Sequence, residues 1–157
     1  ALAAGPRVLL ADEPASSLDP VLRRQLLDLL TRVRRSHGLG LLLVSHDLDL
    51  LADRCDEIVV LLEGHVVERY EPERHGEPRH PLARDLLAAA PSRLSRADLA
   101  VSPADPADDP GERTPRGCPH APRCGLATEA CRRSLPPLVE LPDGRWLRCP
   151  PSTPRGR

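Results

Sequence analysis

The chain has 157 residues, 40% of them hydrophobic and 29% charged, and a formal net charge of −1, which suits one globular domain with at most a small appendage. Only Tyr70 and Trp146 are aromatic and all 22 basic residues are arginine, so any core is built from Leu, Val and Ala. The balanced charge excludes a general nucleic-acid binder, which carries a basic excess.

Arg7 to Ala11 is a short continuous apolar run, the pattern of a strand buried on both faces. From Pro20 to about Ser36, apolar residues at Leu22, Leu26, Leu27, Leu29, Leu30 and Val33 form a helical stripe. Asp19 takes the N-cap, Pro20 the first helical position and Gly38 the C-terminal end. Leu39 to Val44 reads as a second buried strand, and Leu48 to Arg54 as a short helix. Glu57–Leu62 and His65–Glu68 flank Glu63-Gly64 and read as a hairpin. Pro81 to Ala90 is a last helix, with Leu82, Leu86 and Leu87 inward. Residues 91–116 hold five prolines and no apolar period, the composition of a linker. Residues 117–150 hold four of the five cysteines. Strand–helix–strand alternation predicts an α/β fold, with boundaries at 1–90, 91–116 and 117–150. No apolar run approaches the ~18–20 residues that span a bilayer, and Ala1 to Pro6 has no basic signal-peptide region. The expectation is a cytosolic protein whose cysteines are reduced or metal-bound.

Val8 to Pro14 places two carboxylates, Asp12 and Glu13, at the carboxyl end of the first strand, the edge where ligands of open α/β sheets sit. Adjacent acids there suit a metal–phosphate site, one holding Mg²⁺ and the other orienting an attacking water. Ser16-Ser17-Leu18-Asp19 follows, and Ser45-His46-Asp47 closes the second strand at the same sheet edge. Together these resemble the Walker B, D-loop and H-loop motifs of ATP-binding-cassette ATPases, in order and in spacing, over residues 1 to about 68.

The resemblance implies a P-loop α/β fold using ATP and Mg²⁺. In it, Asp12 would coordinate Mg²⁺ through water, Glu13 would polarise the hydrolytic water and His46 would hold the γ-phosphate. Asp19 would reach across a dimer interface, with Ser16 in the same nucleotide-contacting loop. The sequence departs from the family pattern in lacking any lysine, a GxxxxGK[ST] loop, a Q-loop and a Leu-Ser-Gly-Gly-Gln signature. The fold class expected is therefore a partial P-loop parallel sheet with a Cys-rich extension, inactive as an ATPase alone.

Cys118, Cys124, Cys131 and Cys149 fall in one 32-residue window, and four thiolates on one segment suit a [4Fe–4S] cluster or a structural zinc. Zinc sites usually contain a close C-x₂₋₄-C pair, which is absent, so the spacing leans toward the cluster. His120 reads as an exposed loop histidine and Cys55 as a small core residue. Gly117 to Cys124, Cys131-Arg132 and Pro136-Pro137-Leu138 resemble the C-terminal extension of oligopeptide and dipeptide importer ATPases. The segment His80 to Ala89 resembles the helix before it, and some members of that branch carry a [4Fe–4S] cluster on four such cysteines. This implies transmembrane permease subunits and a second ATPase subunit, identical or not, as partners, at the cytoplasmic face of the inner membrane. Two alternatives stand beside it: a metal- or cluster-binding remnant without ATPase activity, and a split ATPase completed by a separate N-terminal piece.

Overall fold

The structure is a computed structural model that describes residues 2–90 and 116–150. The expected linker, but for Arg116, lies outside the described residues. The chain divides into two compact units, Ala1–Arg54 and Cys55–Arg157. The division falls after Arg54, inside the segment 1–90 that composition marks as one part.

In the first unit, β1 (Val8–Asp12) pairs in parallel with β2 (Gly40–Val44), Val8 opposite Gly40 and Asp12 opposite Val44. The crossover between them is α1 (Pro20–His37), and α2 (Leu48–Ala52) follows β2. The ends of α1 are fixed as the sequence predicts. Asp19 Oδ1 accepts from Val21 N at 2.9 Å and Leu22 N at 3.1 Å, and Gly38 closes the helix with a left-handed φ of 61°. Backbone donors of the first turn thereby find a partner.

The strands are not buried on both faces, contrary to the sequence reading. Leu10 is 70% and Leu42 58% exposed, with Val8 and Val44 beside them on the same face. Leu9, Ala11, Leu41 and Leu43, on the other face, are half-buried. Two strands have only one covered face within the described residues, so a continuous apolar run becomes an inside–outside alternation. Leu22 and Leu29 of α1 are exposed for the same want of cover, and Leu27 alone in that helix is buried.

The second unit is organised by a hairpin. β3 (Ile58–Leu62) and β4 (His65–Tyr70) are antiparallel. Glu63 (φ 46°) and Gly64 (φ 78°) are both left-handed, as a two-residue turn matching the twist of the strands requires. Then come α3 (Pro72–His75), α4 (Pro81–Ala88), α5 (Glu129–Arg133), β5 (Val139–Glu140) and β6 (Trp146–Leu147). β6 pairs with β4, Glu68 opposite Leu147, giving the antiparallel order β3-β4-β6-β5. The sequence reading foresaw neither α3 nor this pairing. On α4, Ala83 and Leu87 are buried whereas Leu86 is 36% exposed, so Ala83 takes the inward place expected of Leu86. Cys55 is half-buried rather than a core residue.

A buried ion pair joins the tail to the hairpin. Glu68 and Arg145 are 0% and 1% exposed. Arg145 Nη1 donates to Glu68 Oε1 and, at 3.1 Å, to Glu77 O; Nη2 donates to His75 O at 2.9 Å. The Glu68 carboxylate also accepts from Arg79 N at 2.9 Å and His80 N at 2.8 Å. The guanidinium carbon lies 5.1 Å from the Tyr70 ring centroid. A charge pair this deep needs further hydrogen bonds to both partners; the amides of residues 79 and 80 supply them to the carboxylate and the carbonyls of residues 75 and 77 to both Nη atoms, while Arg145 Nε has no hydrogen-bond partner among the described residues. Burial, with Glu68 nearby, pushes the Tyr70 hydroxyl up to about 12.

Candidate functional site

The carboxyl ends of β1 and β2 bring Glu13 and His46 into contact. Glu13 follows the last residue of β1 in a left-handed conformation, φ 43°, uncommon for a residue with a side chain. Its N–H donates to Val44 O at 2.9 Å, extending the ladder. Its Oε1 accepts twice from His46, from the backbone N–H at 3.1 Å and from Nδ1 at 2.8 Å. A carboxylate only accepts, so Nδ1 carries the proton in this pair. Backbone strain that the surroundings hold in place points to a functional position.

The other predicted residues lie along the same loops. Asp12 is exposed at the end of β1, and the Ser16 hydroxyl donates to Glu13 O at 3.1 Å. The Asp19 carboxylate is engaged in capping α1. Sequence reading missed Arg23, on α1 one turn beyond Asp19. Its Nη1 donates to Asp47 Oδ2 at 2.9 Å and its Nη2 to Leu18 O at 3.3 Å. It thereby ties the loop before Asp19 to the loop after His46, a link with no signal in spacing.

In the second unit, Cys118, Cys124, Cys131 and Cys149 all line one pocket, with His80 and His120 in its wall. Cys118 and Cys131 pack with Ala121, whereas Cys149 packs with Leu141 and Leu147. Among the described residues no group of three or more His, Cys, Asp or Glu side chains is placed to hold a metal ion. This departs from a single-zinc site, which draws four ligands to about 2.0–2.3 Å from one point.

His120 is 7% exposed, not the exposed loop residue that its polar neighbours suggested. Burial lowers its pKa, while Asp85 Oδ2, 3.3 Å from Nε2, opposes that shift. His80 caps α4 by accepting from Leu82 N at Nδ1, and its ring centroid is 5.9 Å from that of His120. Burial, then the neighbouring His120, lowers His80 to about 4. Burial also raises the Cys118 thiol, aided by Cys131 and Cys149.

The chain is 36% identical over 98% of its length to a putative peptide import ATP-binding protein of Brucella abortus. It is also 36% identical over 95% of its length to the dipeptide transport ATP-binding protein of Escherichia coli. The chain is homologous to peptide-import ATP-binding proteins. It spans about half the length of the curated relatives it matches, 46% in both cases. No family model matches it. The matched stretch covers 98% of the chain and so extends over both units. Among the described residues no helix is long and apolar enough to cross a membrane.

Proposed function

We propose that the chain is the C-terminal part of the ATP-binding subunit of an ABC-type peptide importer. It would act with transmembrane permease subunits and a second ATPase subunit at the cytoplasmic face of the inner membrane. The observation that carries this reading is the double hydrogen bond from His46 to the strained Glu13. It fixes a carboxylate and an imidazole together at the carboxyl edge of two parallel strands. There Glu13 is held to take a proton from an attacking water, and His46 presents Nε2 outward. His46 would contact the γ-phosphate through Nε2. Asp12, Ser16 and Asp19 would complete the nucleotide contacts. Mg²⁺ is commonly held by one or two carboxylates plus substrate phosphates, offsetting their charge, and the exposed Asp12 carboxylate fits that role.

Such a site works by positioning and charge stabilisation, and the phosphates themselves need a glycine-rich loop with a lysine. The chain contains no lysine, so alone it is expected not to release phosphate from ATP. The test joins it behind the N-terminal portion of the Escherichia coli dipeptide transport ATP-binding protein. Hydrolysis that falls by about 10²-fold or more on Glu13→Gln is the expected result. Hydrolysis indifferent to Glu13 and His46 would overturn the assignment.

The same proposal includes a [4Fe–4S] cluster on Cys118, Cys124, Cys131 and Cys149. Its support is the pocket that all four line, since a cubane cluster takes four thiolate donors. When bound, the cluster would supply cross-linking of the tail, and the four sulfurs would supply the donors. Anaerobic reconstitution with iron and sulfide should give a brown species that is lost on Cys118→Ser and kept on Cys55→Ser. One equivalent of colourless zinc would replace the cluster with zinc.

A further inference from the structure

Cys118 and Cys131 are drawn together by the backbone itself. Cys118 N donates to Cys131 O over 2.7 Å. A Cα lies about 1.46 Å from its own nitrogen and about 2.4 Å from its own carbonyl oxygen. The two Cα atoms are therefore at most about 6.6 Å apart, inside the roughly 4.4–6.8 Å window of disulfide-bonded pairs. The approach depends on Gly117, where a Cβ would sit 2.4 Å from Arg132 O and 2.8 Å from Cys131 O. Cys118 and Cys131 belong to one buried cluster, while Cys149 belongs to another.

One neighbour singles out Cys131 as the first to react. Thr128 Oγ1 accepts from Cys131 N at 3.4 Å and lies 3.2 Å from Cys131 Sγ. Either atom can donate in that contact; with the Thr128 hydroxyl as donor it stabilises the Cys131 thiolate.

We propose that Cys118 and Cys131 are an oxidation-sensitive thiol pair that closes to a disulfide, with hydrogen peroxide as co-reactant, whenever no metal occupies the pocket. The Cys131 thiolate attacks a peroxide oxygen, the O–O bond breaks, and a sulfenic acid and one water result. The Cys118 sulfur then attacks Cys131 Sγ; the S–S bond forms, the S–O bond breaks and a second water leaves. Two thiols and one peroxide give one disulfide and two waters, the thiol protons ending in water. Closure withdraws two of the four sulfur donors from the pocket, so oxidation and metal loading exclude one another. The inference rests on the backbone approach and not on the identity of any metal.

The test treats the metal-free full chain with hydrogen peroxide, blocks remaining thiols with iodoacetamide and maps cross-links by mass spectrometry. Cleavage after Arg and Glu puts each of the five cysteines in its own peptide. The expected product is a dominant Cys118–Cys131 link with Cys55, Cys124 and Cys149 alkylated. In Cys118→Ser, dimedone should capture Cys131 as its sulfenic acid. Gly117→Ala, with folding checked by Trp146 emission, should lower the yield of the link several-fold. A dominant link through Cys124 or Cys149, no link at all, or a yield indifferent to Gly117→Ala would each overturn the proposal.

Discussion

The two units solve the problem of burial differently. Ala1–Arg54 carries the residues whose chemistry is plainest in the sequence, yet Leu10 and Leu42 face outward on a two-stranded sheet. Cys55–Arg157 carries a tail whose sequence looks irregular, yet Val67, Leu147, Glu68 and Arg145 are sealed within it. Legible chemistry and completed packing are separate properties. The loops of the first unit need little more than a strand end and a capped helix. The tail coheres only because a distant strand, β4, receives it.

The largest effect should come from the buried pair. Arg145→Met leaves Glu68 charged and buried, and removing one partner of such a pair costs about 3–5 kcal/mol. Urea unfolding followed by Trp146, the sole tryptophan and part of β6, should show a transition at much lower denaturant. The double variant Arg145→Met, Glu68→Leu should recover part of the loss. A midpoint unchanged in Arg145→Met would mean that the two units do not differ in this way.

Next in size is a pH effect confined to the second unit. His80 is lowered to about 4 by burial, against about 6.5 in the unfolded chain. Between those values the unfolded state binds a proton that the folded state does not. Stability is therefore full above about pH 6.5 and falls as pH drops toward 4, by at most about 3 kcal/mol. His80→Asn keeps an N-capping side chain and should flatten this slope.

Smaller changes probe the first unit. Asp19→Ala removes the acceptor of two first-turn amides and should cost about 1 kcal/mol, read from helix-sensitive circular dichroism on melting. Leu10→Gln with Leu42→Gln should change stability by less than about 0.5 kcal/mol per site and reduce self-association in sedimentation. A larger loss from those exposed leucines would show that the face is covered in solution.

How much was legible follows from the same division. α1 was readable to within a residue because Asp19, Pro20 and Gly38 act locally. The turn at Glu63-Gly64 was readable because only a left-handed pair fits it. That Glu13 and His46 share a sheet edge was legible through motif order, since parallel strands bring their carboxyl ends together; the hydrogen bonds between them were not. Exposure of Leu10 and Leu42 was not, because an apolar run does not say how many faces find cover. Arg145 was not, because its partners, Glu68 and the carbonyls of His75 and Glu77, lie some seventy residues away and leave no periodicity. His120 was misread because its burial comes from the tail folding over α4, not from its own polar neighbours.

The pairing of β6 with β4 also sets a timetable. Arg145 follows Glu68 by 77 positions, so at about 5–20 residues per second a ribosome takes roughly 4 to 15 s to deliver one to the other. Throughout that interval the hairpin stands with the outer edge of β4 unpaired and a carboxylate without its cation. An open edge is a template for wrong strands, and the unpaired Glu68 keeps that edge charged until its proper partner emerges.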